Sequence, residues 1–232
     1  MSVVAIIPAR GGSQGIPLKN VMPLAGRPLL AWSIRQALAA ARVGRVIVST
    51  DSEEIAAVVH DECAEVFWRD ASTATDTATT ESAVIEVLDS LGEEQTEYTL
   101  LLQATSPIRQ PGDIDKAIAD LISSGADSLF AARKVEGYVW RHTLADGGCV
   151  PLHGKRLPRQ LRTDTVWEEN GSLYVFRTES FLRDRIRHCG RTIAFEMDPF
   201  DSFQLDEYAD VQRLEQLIPW RMSHAGHFTA TH

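Results

Sequence analysis

Val3-Val4-Ala5-Ile6-Ile7-Pro8-Ala9-Arg10-Gly11-Gly12-Ser13-Gln14-Gly15-Ile16-Pro17-Leu18-Lys19-Asn20 lies at the start of the chain. Its first five residues are apolar and rich in β-branched side chains, the pattern of a short strand buried on both faces. Residues 8–20 then read as a Pro/Gly/Ser loop. Gly11, Gly12 and Gly15 allow close approach of the backbone, and successive N–H groups there can cradle anion oxygens. Arg10 and Lys19 add the positive charge that a triphosphate needs. The loop matches neither G-x-G-x-x-G nor G-x-x-x-x-G-K-[ST]. A plain structural turn therefore stays open on composition, while the two cations and the position after a first strand favour an anion site.

Outward from this loop, strand and helix signals alternate. Leu29 to Ala41 is Ala- and Leu-rich, with Pro28 suited to a first helical turn. Arg45 to Thr50 is a second strand. Ser52 caps the helix that follows, and Asp51, Glu53 and Glu54 suit its positive end. Ala64 to Trp68 and Tyr98 to Leu102 are further strands. Thr79 to Leu91 places Ala83, Val84, Val87, Leu88 and Leu91 at helical spacing. Asp113 to Ile122 is a helix and Ser128 to Ala132 a fifth strand. Such alternation implies right-handed βαβ units and a parallel sheet, with ligands beyond the carboxyl ends of the strands.

After Arg133 the pattern breaks. Residues 134–167 hold scattered Gly and Pro with aromatic and His residues between them, and read as an inserted arm of short strands and loops. The sheet resumes at Ser172 to Phe176 and Thr192 to Phe195, and a last helix runs from about Glu207 to Leu217. The expected fold is α/β, one domain over 1–222 with the arm at about 134–167. Residues 223–232 read as a flexible tail.

The 232 residues carry a net charge of −9. An acidic chain argues against a nucleic-acid coat, so a polyanionic ligand must meet a local basic cluster. No apolar run approaches the ~20 residues that cross a bilayer, and the start lacks a signal peptide's charged n-region. Neither nucleic acid nor membrane is an expected partner. Cys63, Cys149 and Cys189 are odd in number and scattered, which fits idle thiols in a reducing cytoplasm. The five tryptophans read as packing residues.

Three more clusters carry candidate chemistry, the first of them on the same sheet edge as the glycine loop. Leu102-Gln103-Ala104-Thr105-Ser106-Pro107-Ile108-Arg109 follows the fourth strand. The Gln103 carboxamide suits recognition of a base or sugar, although Ser-Pro is also a turn signal. Asp198 to Asp206 is the second cluster. Asp206 reads either as a Mg²⁺ ligand or as the N-cap of the last helix. The third is Glu169-Asn170-Gly171-Ser172-Leu173-Tyr174, with Pro158-Arg159-Gln160 upstream. Arg159 suits a substrate carboxylate, and Tyr174 is a core residue or a contact.

Together these clusters resemble the acylneuraminate cytidylyltransferase family, the CMP-sialic acid synthetases. The most specific match is Ile7-Pro8-Ala9-Arg10-Gly11-Gly12-Ser13-x-Gly15-Ile16-Pro17-x-Lys19-Asn20. Val48 to Ala56, Leu102 to Arg109 and Asn170 to Tyr174 follow in register, so the resemblance covers about residues 3–218. It implies a Rossmann-like, mostly parallel sheet of the nucleotide-diphospho-sugar transferase type. The implied reaction transfers CMP from CTP to a nine-carbon keto-sugar acid, N-acetylneuraminate or a relative, with release of pyrophosphate. Legionaminic, pseudaminic or Kdo-type acids are the alternative acceptors, and a non-catalytic CTP-binding homologue is the rival from another class.

Carried over by position, Arg10, Lys19 and Asp206 would be catalytic. Ala9, Arg10, Gly11, Gly12, Ser13, Lys19, Asn20, Arg69 and Thr80 would hold the nucleotide. Gln103, Thr105, Arg159, Gln160, Asn170 and Tyr174 would hold the sugar acid, and Asp206 would bind Mg²⁺ or Mn²⁺. The arm resembles the family's dimerisation arm, which implies a homodimer; the location implied is cytoplasmic. Two departures stand out. Gln14 replaces a usual Lys, and Gln204 replaces the first Asp of an Asp-x-Asp pair, with Asp201 and Glu207 as the neighbouring carboxylates available to compensate.

Overall fold

The computed structural model describes residues 2–12, 15–70, 79–92, 96–142, 147–152 and 165–224. In chain order it begins with β1 (Val3–Pro8), the two-residue strands β2 (Pro23–Leu24) and β3 (Arg27–Pro28), and α1 (Leu29–Ala39). Then come β4 (Arg45–Thr50), α2 (Glu53–Asp61), β5 (Glu65–Trp68), α3 (Thr80–Leu91), β6 (Tyr98–Leu102), α4 (Asp113–Ser124) and β7 (Ser128–Lys134). The last part holds β8 (Trp140–His142), β9 (Cys149–Pro151), β10 (Trp167–Arg177), α5 (Thr178–Asp184), β11 (Thr192–Glu196) and α6 (Tyr208–Ser223).

Seven strands form one sheet in the order β11-β7-β10-β6-β1-β4-β5. β1 pairs parallel with β4 and β6, and β4 with β5, whereas β10 runs antiparallel to both β6 and β7. Alternation along β1 explains how the layers assemble, because successive side chains point to opposite faces. Val3, Ala5 and Ile7 join Leu30 and Ile34 of α1, Ile55 and Val59 of α2, and Ile118 of α4 on one face. Val4 and Ile6 pack on the other face with Val84, Val87 and Leu88 of α3 and Phe181 of α5. Each such Val, Leu, Ile or Phe side chain, fully buried, stabilises the fold by about 1.5–3 kcal/mol.

The chain runs from β1 outward to β4 and β5, then returns to place β6 on the other side of β1. The order therefore reverses between β1 and β6, and ligands of open α/β sheets sit in the crevice outside such a switch point. The loops after β1 and β6 both open there. Because β10 is antiparallel to β6, with Leu173 opposite Leu102, its early residues Asn170 and Gly171 reach the same edge.

Several sequence expectations need correction. The last helix extends past Leu217 to Ser223 in spite of Pro219. Burial of Ile218 and a two-point ion pair from Arg221 to Asp201, at 2.7 Å to each oxygen, hold its last turns. Helix α5 and the β2–β3 hairpin were not foreseen. The hairpin turns at Ala25 and Gly26, both at positive φ, and its Ala25 N–H donates to Glu215 of α6. Of the five tryptophans only Trp32 is buried; Trp68, Trp140 and Trp220 are exposed and Trp167 is intermediate. The helix of 53–61 is capped by Ser52, whose hydroxyl accepts the Ile55 N–H.

Between β7 and β10 the two strands run on past the sheet, pairing Lys134 with Trp167. The insert beyond them carries the β8–β9 hairpin. Residues 153–164 and 225–232, which include Arg159, Gln160 and most of the expected tail, lie outside the described residues, as do Ser13 and Gln14. Cys63, Cys149 and Cys189 are free thiols. Among the described residues no helix is long and apolar enough to cross a membrane.

Candidate active site

A cleft of about 380 Å³ opens at the switch point, lined by Arg10, Lys19, Asn20, Thr80, Gln103 and Thr105, with Asp206 and Gln204 at its rim. Four parts of the chain build it. The first is the loop after β1. The Asn20 carboxamide donates to the Arg10 carbonyl at 3.1 Å, folding the loop back on itself. Ile16 is buried in an apolar cluster with Trp32, Leu205 and Leu214, which anchors the loop from below. Gly11 lies so close to Ser52 that an added Cβ would meet the Ser52 Cβ at 2.9 Å. Its N–H donates to Asp51 Oδ1 at 2.8 Å. Asp51, expected at the N-terminus of α2, thus also ties down the glycine loop. Gly12 faces open space.

Asp206 lies across from this loop. Lys19 Nζ donates to the Leu205 carbonyl at 3.1 Å and stands 3.5 Å from Asp206 Oδ1. The N-cap of α6 is Glu207, not Asp206. Glu207 and Asp210 form the reciprocal capping box, and the Asp206 N–H also donates to Asp210. The Asp206 carboxylate is left 69% exposed at the cleft mouth. Asp201 and Glu207 do not supply a second carboxylate there. Asp201 is 1% exposed and bound to Arg221, and Glu207 is occupied as a cap.

Gln204 has a defined partner. Its amide nitrogen donates to the Asn170 carbonyl at 2.6 Å. A carboxylate there would set like partial charges against one another, so an amide suits this position. Gly171, at φ 67°, sits beneath both glutamines: an added Cβ would lie 2.5 Å from Gln204 Nε2 and 2.7 Å from Gln103 Oε1. β10 bulges between Glu169 and Tyr174 to make this crossing.

Asn170 and Tyr174 are placed behind the cleft and do not line it. Asn170 is 4% exposed, donating to Ser202 and accepting the Ser172 N–H. Tyr174 is 2% exposed, its hydroxyl donating to Glu169, and burial raises its pKa. Glu169 also meets His188 at 3.1 Å, and Arg187 spans from the Tyr174 ring to Glu81 beside Thr80. Arg69 is also outside the lining, 8% exposed with Glu86 of α3 at 3.9 Å. Ala9 is buried, and its N–H donates to the Ser49 carbonyl.

The residue that sequence reasoning undervalued is Arg109. It is 6% exposed and donates to Ser33, Gln36 and the carbonyls of Gln103 and Ser172. Burial pulls its pKa below the ordinary arginine value. It fixes the loop after β6 to α1 and to β10, and so sets where Gln103 and Thr105 point. Its place in the Thr105-Ser106-Pro107-Ile108-Arg109 run was the available signal; its burial was not.

Among the described residues no three His, Cys, Asp or Glu side chains group as a metal site. One exposed carboxylate beside the glycine loop and its two cations fits a magnesium ion held largely by phosphates and water, which takes one or two protein carboxylates. The donor set does not fit an all-protein metal cage.

The sequence profile of the cytidylyltransferase family matches residues 4–145. The chain belongs to the cytidylyltransferase family. That match spans the glycine loop, Thr80 and the Gln103–Thr105 loop. N-acylneuraminate cytidylyltransferase A of Danio rerio is 33% identical over 222 residues, covering 93% of this chain and 50% of that protein. The chain thus spans about half the length of the first curated relatives it matches. CMP-N,N'-diacetyllegionaminic acid synthase of Legionella pneumophila is 28% identical over 228 residues, with 96% and 95% covered. The fold is that of CMP:2-keto-3-deoxy-manno-octonic acid synthetase, solved with CTP, at TM-score 0.69, 17% identity, and 95% and 100% coverage.

Proposed function

We propose that this cytidylyltransferase-family chain transfers CMP from CTP to the anomeric hydroxyl of a nine-carbon keto-sugar acid. The carrying observation is the single cleft at the switch point. It brings Arg10, Lys19 and Thr80 together with Gln103, Thr105 and Asp206. Relatives named for acylneuraminate and diacetyllegionaminate transfer support the choice of acceptor class.

In the proposed step the sugar hydroxyl oxygen bonds to the α-phosphorus of CTP. The bond from that phosphorus to the bridging oxygen breaks, pyrophosphate leaves, and the hydroxyl proton is lost to solvent. Such a transfer depends on positioning and charge stabilisation more than on covalent help. Arg10 and Lys19 hold the phosphates with the loop backbone at Gly11 and Gly12, and Ser13, outside the described residues, is assigned to the nucleotide. Asn20 keeps that loop closed. Thr80, at the start of α3, meets the nucleoside side, and Arg69 strengthens the field from beyond the lining. Asp206 would hold a magnesium ion, which supplies counter-charge to the phosphates. Gln103 and Thr105 face the sugar. Arg159 and Gln160, outside the described residues, are assigned to the sugar acid, while Asn170 and Tyr174 fix the wall behind. We read residues 1–222 as one catalytic unit working in the cytoplasm as a homodimer. The exposed Trp140 and Val150 on the β8–β9 hairpin and Leu152 in the turn just after it support the arm as a contact between copies.

The test is pyrophosphate release from CTP and Mg²⁺ with N-acetylneuraminate, legionaminic acid, pseudaminic acid and Kdo in parallel. Release with CTP but not ATP, GTP or UTP, and with one acid above the rest, is expected. CTP binding with no release from any acid would overturn the catalytic reading.

A further inference from the structure

Beside the stretch from Pro107 to Gly112 lies a second cavity, also about 380 Å³, that shares no lining residue with the active cleft. Its walls come from α1, the stretch from Pro107 to Gly112, and the end of α6. Trp32, Ile108, Ile218 and Met222 make much of the surface apolar. Four arginines also line it, in a chain of net charge −9. Two of them are already neutralised: Arg35 by Glu62 at 2.6 Å and Arg221 by Asp201 at 2.7 Å.

Arg27 and Arg109 are different. The Arg27 guanidinium lies 4.5 Å above the Trp32 ring and has no carboxylate partner among the described residues. Its Nε is buried without a hydrogen-bond acceptor. Arg109 also has no carboxylate in ion-pair contact among the described residues, and its Nε is likewise buried and without an acceptor. The acidic residue in the lining, Asp115, already accepts the N–H groups of Ala41 and Arg42. Both Nε atoms are closed off from solvent, and the terminal N–H groups of Arg109 already donate within the protein, so the terminal nitrogens of Arg27 are the donors left for a ligand. The volume falls in the range of small-molecule sites, which combine apolar walls with a few placed polar groups.

We propose that this cavity is a second ligand site, taking a small amphipathic carboxylate. The acid's apolar body lies along Trp32 and Ile218, and its anion accepts from the terminal N–H groups of Arg27, with the buried Arg109 charge close behind. The proposal stands apart from the transferase reading, since the two cavities share no lining residue.

The test uses the full chain in thermal-shift titrations with 2-naphthoate and indole-3-acetate, against the matched neutral alcohols 2-naphthalenemethanol and tryptophol. Each is run with and without saturating CTP. Two variants accompany the wild type: Arg27→Met, which keeps bulk without the cation, and Ala39→Trp, which fills the cavity from an exposed position. Saturable stabilisation by the acids but not the alcohols is expected. It should persist with CTP present, and both variants should lose it while keeping their CTP response. Equal shifts from the alcohols, no shift from either acid, or an acid shift that survives Ala39→Trp would overturn the site. So would an acid shift that vanishes under saturating CTP, which would place the acid in the active cleft. Conversion of a dimer to monomer by Ala39→Trp, seen by sedimentation, would assign this face to a second copy instead.

Discussion

Lys19 Nζ and Asp206 Oδ1 face each other at 3.5 Å across the cleft, joining the glycine loop to the segment just before α6. The ammonium is mostly buried, its side chain 14% exposed, while the carboxylate is open to solvent. The two groups therefore face the cleft from opposite sides, and a pair whose carboxylate stands in solvent is screened and contributes little to stability.

Asp206→Asn is accordingly expected to reduce pyrophosphate release by about 100-fold or more, as for loss of a charge-stabilising group. Its unfolding free energy should stay within about 0.5 kcal/mol of wild type. Steady-state kinetics beside urea denaturation checks both; wild-type turnover would remove Asp206 from the mechanism.

Gly171→Ala tests the floor beneath Gln103 and Gln204. The positive φ and the two close glutamine contacts predict a loss of about 1–3 kcal/mol. Because the strain falls on Gln103, KM for the sugar acid should rise more than KM for CTP. Equal effects on both substrates would mean that the glutamines do not discriminate between them.

Replacing Arg109 by Met leaves the Gln103 and Ser172 carbonyls without this donor, and about 3 kcal/mol or more of stability should be lost. Arg109→Lys keeps the charge but not the fork that reaches four partners. It should fold with an intermediate midpoint and show a raised KM for the sugar acid. A lysine variant matching wild type in both would reduce Arg109 to a source of charge.

Asp113 has a pKa raised to about 6 by burial, with the Asp201 carboxylate adding to the shift. A carboxyl whose folded pKa exceeds its unfolded value favours the folded state when protonated. That contribution is present below about pH 4 and is lost as pH rises through about 6. Asp113→Asn should therefore gain on wild type by about 1–2 kcal/mol between pH 4.5 and pH 7. Denaturation midpoints at the two pH values measure the difference, and a constant gap between the proteins would refute it.

The strands from Val3 and Arg45 and the helix capped by Ser52 were legible because their signals are local. Apolar runs, period 3.6 and a hydroxyl ahead of two glutamates need no distant partner. The full length of α6 was not legible. Pro219 weakens the local signal, and the helix continues on burial of Ile218 and on Asp201, a residue from a different segment.

The candidate site divides in the same way. Arg10, Lys19, Asn20, Thr80, Gln103, Thr105 and Asp206 were named from sequence and line the cleft, whereas Gly11 and Gly12 do not. Asp206 was ambiguous between cap and ligand; the capping box of Glu207 and Asp210 takes over the capping and leaves its carboxylate exposed. Sequence by itself determined the main alternation of strands and helices, though not α5 or the β2–β3 hairpin, and the chemistry available at each loop, since these depend on neighbours a few residues apart. Tertiary structure alone decided which loops share an edge, because the sheet order reverses between β1 and β6. It also decided which polar groups are freed and which are buried as braces, since Gln204, Asn170 and Arg109 find their partners only through long-range packing.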